Sequence, residues 1–225
     1  LPQMSRNQRR LTVDVSKLTL PLPCLCLVTD RQLIGDEKML SAIVEAVQGG
    51  VNMVQLREKD LPGRRLSDLA MRLSAVIPRQ TLLLINERID VAATTLAHGV
   101  QLGEEALSTH SARAILGNDV LVGRSVHSVN GAKVAEEEGA DFLLVGTMFS
   151  SSTHPGEEPS GPALVTSISS ACSLPIIGIG GINETNAASI IEAGAQGVAA
   201  ISSILTSPDP GLTARNLMAN MLAVV

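Results

Sequence analysis

CLCLVTDRQLIGDEKMLSAIVEAVQGGVNMVQL, residues 24 to 56, contains one full period of the pattern that decides the fold. It opens on a short apolar run, passes into EKMLSAIVEAVQGG, whose apolar residues recur at helical spacing, stops at paired glycines and returns to a second apolar run, VNMVQL. Strand, amphipathic helix and strand in that order make a right-handed crossover between parallel strands. The segment after the first run, VTDRQLIGD, lacks the G-x-G-x-x-G that an open doubly wound sheet would want there.

The same alternation continues outward to the C-terminus. Further strand-like runs are TLLLIN (81 to 86), GVQL (99 to 102), DVLVGRS (119 to 125), DFLLVGT (141 to 147), PIIGIG (175 to 180) and GVAAIS (197 to 202). Between and after them lie the helical patterns RRLSDLAMRLSAVI, RIDVAATTLA, SARAILG, NGAKVAEEEGA, ALVTSISSA, ETNAASIIEAGA and ARNLMANMLAVV. Gly49, Gly117, Gly139 and Gly194 stand where a left-handed cap would end a helix without steric penalty. Strands this continuously apolar are covered on both faces, and eight such units predict an α/β fold, a single-domain (β/α)8 TIM barrel over residues 21 to 225. Residues 1 to 20 are expected to form an N-terminal tail or an extra helix.

Bulk composition narrows the functional classes. At 225 residues with 45% hydrophobic content, the chain can bury one large core. A net charge of -5 and a pI near 5.4 disfavour nucleic-acid and membrane-surface partners, both of which need dense cationic patches. Two Phe and no Tyr or Trp leave little for base stacking. Cys24, Cys26 and Cys172 lack C-x-x-C spacing and read as buried, reduced thiols, which suits a cytoplasmic protein. The N-terminal segment has no signal-peptide h-region, and no window reaches the ~18 apolar residues of a membrane span. A homo-oligomer is the expected assembly.

In a (β/α)8 barrel the chemistry gathers at the C-terminal strand ends, so the polar residues closing each run become candidates. These are Asp30, Gln55, Arg57, Lys59, Asn86, Gln101, Ser125, His127, Thr147, Gly180, Gly181, Ser202 and Ser203, all expected to face one cavity. In QLREKD, residues 55 to 60, Gln55, Arg57 and Lys59 share one side of an extended segment and suit a phosphate or diphosphate. The competing reading is a solvated loop neutralised by Glu58 and Asp60. GIGGIN (178 to 183) and AISSIL (200 to 205) follow the seventh strand and end the eighth, where this fold recurrently binds phosphate. Ser151, Ser152, Thr153 and His154, in the long stretch after strand six, could donate to the same ligand.

His127, just past strand five, is the candidate acid/base, because imidazole exchanges a proton near neutral pH. His98 and His110 fit surface or capping roles. No zinc-ligand spacing and no nucleophile elbow around Ser125 are found.

VTD, VQLREKD, LLINERIDVA, GVQLGEEAL, VGRSVHS, GADFLLVGTMFSSSTHPG, IIGIGGI and AGAQGVAAISSIL, in this order and spacing, resemble the thiamin phosphate synthase and thiazole tautomerase family, from Cys24 to about Leu205. The resemblance implies a barrel acting on the phosphorylated thiazole half of thiamin. Synthases of that family join hydroxymethylpyrimidine diphosphate to thiazole phosphate with Mg2+; they carry Asp after the strand-three Asn, Asp closing Gly-x-Glu-Asp after strand four, and Lys in the strand-six loop. Here Asn86 is kept, while Glu87, Ala106 and His154 occupy the matching positions. Glu87 could still hold a metal, Ala106 cannot, and Glu105 could compensate after a loop shift.

The tautomerase branch isomerises a carboxylated, exocyclic-alkene thiazole phosphate to the aromatic form, using the histidine after strand five and no metal or other cofactor. INERIDVA, GVQL and GRSVHS look more like that branch. The expectation is therefore a thiazole tautomerase with His127 as acid/base. Gln55, Arg57 and Lys59 would hold the carboxylate, with Asn86, Ser125, Ser151, Thr153, His154, Gly180, Gly181, Ser202 and Ser203 completing the substrate site. Two alternatives stay open: a Mg2+-dependent thiamin phosphate synthase using Glu87, and a catalytically silent barrel that binds thiazole or thiamin phosphate.

Overall fold

A computed structural model describes residues 18–150 and 158–225. Eight parallel strands, β1 (Cys24–Val28), β2 (Met53–Leu56), β3 (Leu82–Asn86), β4 (Gly99–Leu102), β5 (Leu121–Val126), β6 (Phe142–Val145), β7 (Ile176–Ile179) and β8 (Gly197–Ala200), pair in sequence order and close into a barrel. The closing pair sets Cys24 against Gly197 and Leu27 against Ala200. Around it lie α1 (Arg31–Ile34), α2 (Asp36–Gln48), α3 (Gly63–Val76), α4 (Ile89–Thr94), α5 (Thr109–Leu116), α6 (Val129–Glu137), α7 (Gly161–Ser169), α8 (Ala187–Glu192), α9 (Ser202–Leu205) and α10 (Pro210–Leu222).

Strand parity builds two apolar layers, because alternate residues of a strand point to opposite faces. Cys24, Cys26, Val28, Met53, Leu82, Leu84, Leu121, Phe142, Leu144, Ile177 and Ala199 fill the barrel interior. Their neighbours in sequence, such as Leu25, Leu27, Val54, Leu83, Val122, Leu143 and Val198, pack outward against the helices. Phe142, fully buried, spans the interior where Gly123 leaves room: a Cβ on Gly123 would lie 2.2 Å from the ring and 2.1 Å from Gln101 Oε1. At the N-terminal end, Leu18 and Leu20 are partly buried against the same interior cluster. The expectation for the rest of the N-terminal segment lies outside the described residues.

Two local expectations are corrected. Gly49 has φ −79 and caps α2 in a right-handed conformation; Gly50, at φ 121, makes the left-handed turn one residue later. A Cβ on Gly49 would strike the Gly211 carbonyl at 2.1 Å, so its glycine serves close packing of α10 on α2. His98 follows α4 and accepts the Leu83 N–H at Nδ1 (3.0 Å), tying the loop before β4 to β3, where a surface or capping role was expected. The short α1 and α9 have no amphipathic signature because four residues make barely one turn. All three cysteines are buried and free, and burial pushes the Cys26 thiol up to about 12. Among the described residues no helix is long and apolar enough to cross a membrane.

Candidate active site

Parity also decides which polar residues reach the C-terminal mouth. Continuing the inward register of Met53 gives Gln55, Arg57 and Lys59; that of Leu84 gives Asn86; that of Leu121 gives Ser125 and His127. All of these line a single cavity of about 260 Å³ together with Glu87, Gly103, Glu104, Thr147, Gly180, Gly181 and Ser202. Val28, Leu144, Ile179, Ala199 and Ile201 supply its apolar lining.

Three candidates are placed elsewhere. Asp30 caps α1, accepting the Gln32 N–H at 3.1 Å. Gln101 is buried in the barrel interior beside Phe142 and donates to Ser125 Oγ at 3.1 Å, so it supports the cavity from below. Ser203 donates to the Ile182 carbonyl at 2.8 Å and lines a shallow depression adjoining the cavity, shared with Ser202, Gly181, Asn183 and Thr206. Ser151, Ser152, Thr153 and His154 lie outside the described residues.

One wall is cationic. Arg57 and Lys59 project from the end of β2 beside Gln55, whose amide donates to Asn86 Oδ1 at 2.9 Å. Glu58 and Asp60 do not neutralise this wall, contrary to the solvated-loop reading. Opposite parity turns them to the rear, where both face Arg31. Lys59 Nζ instead sits 3.9 Å from Glu87 Oε1, a solvent-exposed pair of small energetic weight.

A second wall is backbone-rich. Gly180 and Gly181 have φ 103 and 63, and side chains there would strike Thr147 Cγ2 at 2.7 Å and the Ser150 carbonyl at 2.6 Å. Glycine is therefore needed for the β7 loop to pass under the β6 loop. That loop is pinned to it by Met148 N–H on Ile179 O and Phe149 N–H on Gly180 O, both 2.9 Å. Ser202 opens the first turn of α9, where leading N–H groups lack intrahelical partners.

Among the described residues two carboxylates reach the cavity. Glu87 adopts φ 58, the left-handed region that a non-glycine residue rarely occupies, directly after β3. Glu104 stands after β4, and its Oε1 lies 2.9 Å from His127 Nδ1 and 3.2 Å from the His127 backbone N. The sequence reading missed Glu104 and named its neighbour Glu105; Ala106 packs partly buried against the core. Arg124, on the outer face of β5, fixes this loop by donating to the carbonyls of Leu107 (2.8 Å) and Glu104 (3.0 Å). Among the described residues no three metal-binding side chains converge. Mg2+, however, is commonly held by one or two carboxylates plus substrate phosphates, and Glu87 and Glu104 on one cavity fit that donor set.

Residues 25–204 match the family model described as thiamine monophosphate synthase. A thiamine-phosphate synthase of Chlorobium luteolum is 40% identical over 204 residues, covering 88% of this chain and 93% of the relative. One of Haloquadratum walsbyi is 38% identical over 199 residues, covering 87% and 89%. The thiamine phosphate pyrophosphorylase of Pyrococcus furiosus superposes with a TM-score of 0.82 at 30% identity, covering 90% of this chain and 96% of that one.

Proposed function

This chain belongs to the thiamine monophosphate synthase family, and from that premise we propose that it is a thiamine-phosphate synthase, joining hydroxymethylpyrimidine diphosphate to thiazole phosphate. The relatives favour this over the tautomerase expected from the sequence. The carrying observation is a cavity with anion-receptive groups on two sides: Arg57 and Lys59 on one, and Gly180, Gly181 and Ser202 on the other.

The reaction breaks the C–O bond between the pyrimidine methylene and its diphosphate and forms a C–N bond to the thiazole nitrogen, with diphosphate departing. Arg57 offers the leaving group a planar fork and Lys59 a point charge. Asn86, fixed by Gln55, completes that side. Gly180, Gly181 and Ser202 hold the thiazole phosphate through backbone donors. Val28, Leu144, Ile179 and Ile201 keep water from the reacting carbon. Mg2+ at Glu87 and Glu104 would supply Lewis-acid neutralisation of diphosphate charge.

Purified protein given both substrates and Mg2+ is expected to form thiamin phosphate, detectable as its fluorescent thiochrome derivative. No product, under conditions where both substrates bind, overturns the reading.

A second reading is favoured by the His127–Glu104 contact, which provides an oriented acid/base for thiazole tautomerisation. It expects metal-free isomerisation of the carboxylated alkene form that is lost in His127→Ala. That result, with no condensation, would replace the first reading.

A further inference from the structure

Thr29 and Glu58 have no part in the chemistry described so far, yet both are buried directly behind the cationic wall. Glu58 sits between Arg57 and Lys59 in sequence but on the opposite face, its side chain only 2% exposed. An ionised carboxylate at such a site is expensive unless donors surround it. Here it accepts the Thr29 hydroxyl at 2.6 Å and the Arg31 backbone N–H at 3.2 Å, with Arg31 Nε at 3.8 Å. Burial still pushes its carboxyl above the usual range, against the lowering effect of these bonds.

The hydroxyl of Thr29 is used in both senses. It donates to Glu58 and accepts the Arg57 backbone N–H at 2.9 Å. Because the bond to Glu58 fixes the hydroxyl proton, the lone pair that receives Arg57 is fixed too. Arg31 adds a second tie, pairing with Asp60 just beyond Lys59. The segment carrying the two cavity cations is thus held from the rear at both ends.

We propose that Thr29 and Glu58 are positioning residues, a buried brace that sets the reach of Arg57 and Lys59 toward the diphosphate. The inference rests on the synthase reading of that wall. It names two side chains that touch no substrate but govern affinity for one of the two.

The test is calorimetric titration with inorganic diphosphate in Mg2+ buffer and, separately, with thiazole phosphate. Thr29→Val keeps the shape of threonine and removes the hydroxyl. It is expected to weaken diphosphate binding about tenfold, the scale of one lost hydrogen bond to a positioned group, while thiazole phosphate affinity stays within about twofold. Thr29→Ser is expected to restore the wild-type value. Unchanged diphosphate binding in Thr29→Val, or equal weakening of both ligands, overturns the brace. Should Thr29→Val not fold, Glu58→Gln reads the same difference between ligands. Arg57→Ala separates the two levels of argument: if wild type fails to bind diphosphate, or Arg57→Ala binds it as well as wild type does, the assignment of the wall itself falls and the brace with it.

Discussion

Oε1 of Glu104 accepts the backbone N–H of His127 at 3.2 Å and lies 2.9 Å from its ring Nδ1, so one carboxylate oxygen meets both the ring and the chain that carries it. Glu104 also lines the cavity beside Glu87, which places it at the junction of both readings.

Neighbouring glutamates in this loop should therefore behave differently. Glu104→Gln is expected to lower thiamin phosphate formation about 10- to 100-fold and to raise the Mg2+ needed for half-maximal rate. Glu105→Gln should remain near wild type. Mg2+ titrations of steady-state rate for the two variants check this, and the reverse ranking would return the role to Glu105.

At Arg57 the shape of the cation should count as well as its charge. Arg57→Ala removes charge-assisted hydrogen bonds worth roughly 1.5–3 kcal/mol, about 10- to 100-fold in affinity for the diphosphate substrate. Arg57→Lys should recover only part of that, because an ammonium cannot reproduce the fork. Full recovery in KM measurements would mean that charge alone suffices.

Arg124 never enters the cavity wall, yet its guanidinium holds the Glu104 and Leu107 carbonyls. Arg124→Met should leave far-UV circular dichroism unchanged and lower kcat/KM about fivefold, on the scale of about 1 kcal/mol from a lost brace. If the effect runs through Glu104, the double variant Arg124→Met with Glu104→Gln should lose less than the product of the single effects. Simple multiplicativity would disconnect them.

His98 gives the fold a pH response of definite sign. Burial lowers its imidazole below the usual value, while the unfolded chain regains about 6.5. As pH falls through that value the unfolded state takes up protons first, so stability is complete above it and declines toward the lowered folded-state value. Glu58, shifted upward, acts in the opposite sense: the folded state takes up its proton first. Urea midpoints at pH 7.5 and 5.5 should drop more in wild type than in His98→Gln, and equal drops would remove His98 as the cause.

The architecture was legible because period-2 and period-3.6 patterns follow from geometry that every strand and helix shares. All eight strand runs appear, and most helices start or end within a few residues of the predicted patterns. Parity carried further: Gln55, Arg57, Asn86, Ser125 and His127 reach the cavity because each continues an inward register. What parity could not supply was loop geometry. Glu104 and Glu105 differ only in how the turn after β4 closes, with Ala106 N–H on the Gly103 carbonyl at 3.1 Å. The left-handed backbone of Glu87 likewise has no signal in a residue that ordinarily avoids it.

Leu18 and Leu20 pack partly buried against the interior cluster just ahead of β1, toward the end of the barrel opposite the reacting groups. A chain shortened to begin at Cys24 would uncover apolar side chains of the inner layer, Cys24 and Leu121 among them, at an opening that water could then enter. Such a chain would keep every chemical group of the mouth and still become sticky at its base. Trimming for solubility should therefore stop short of Leu18.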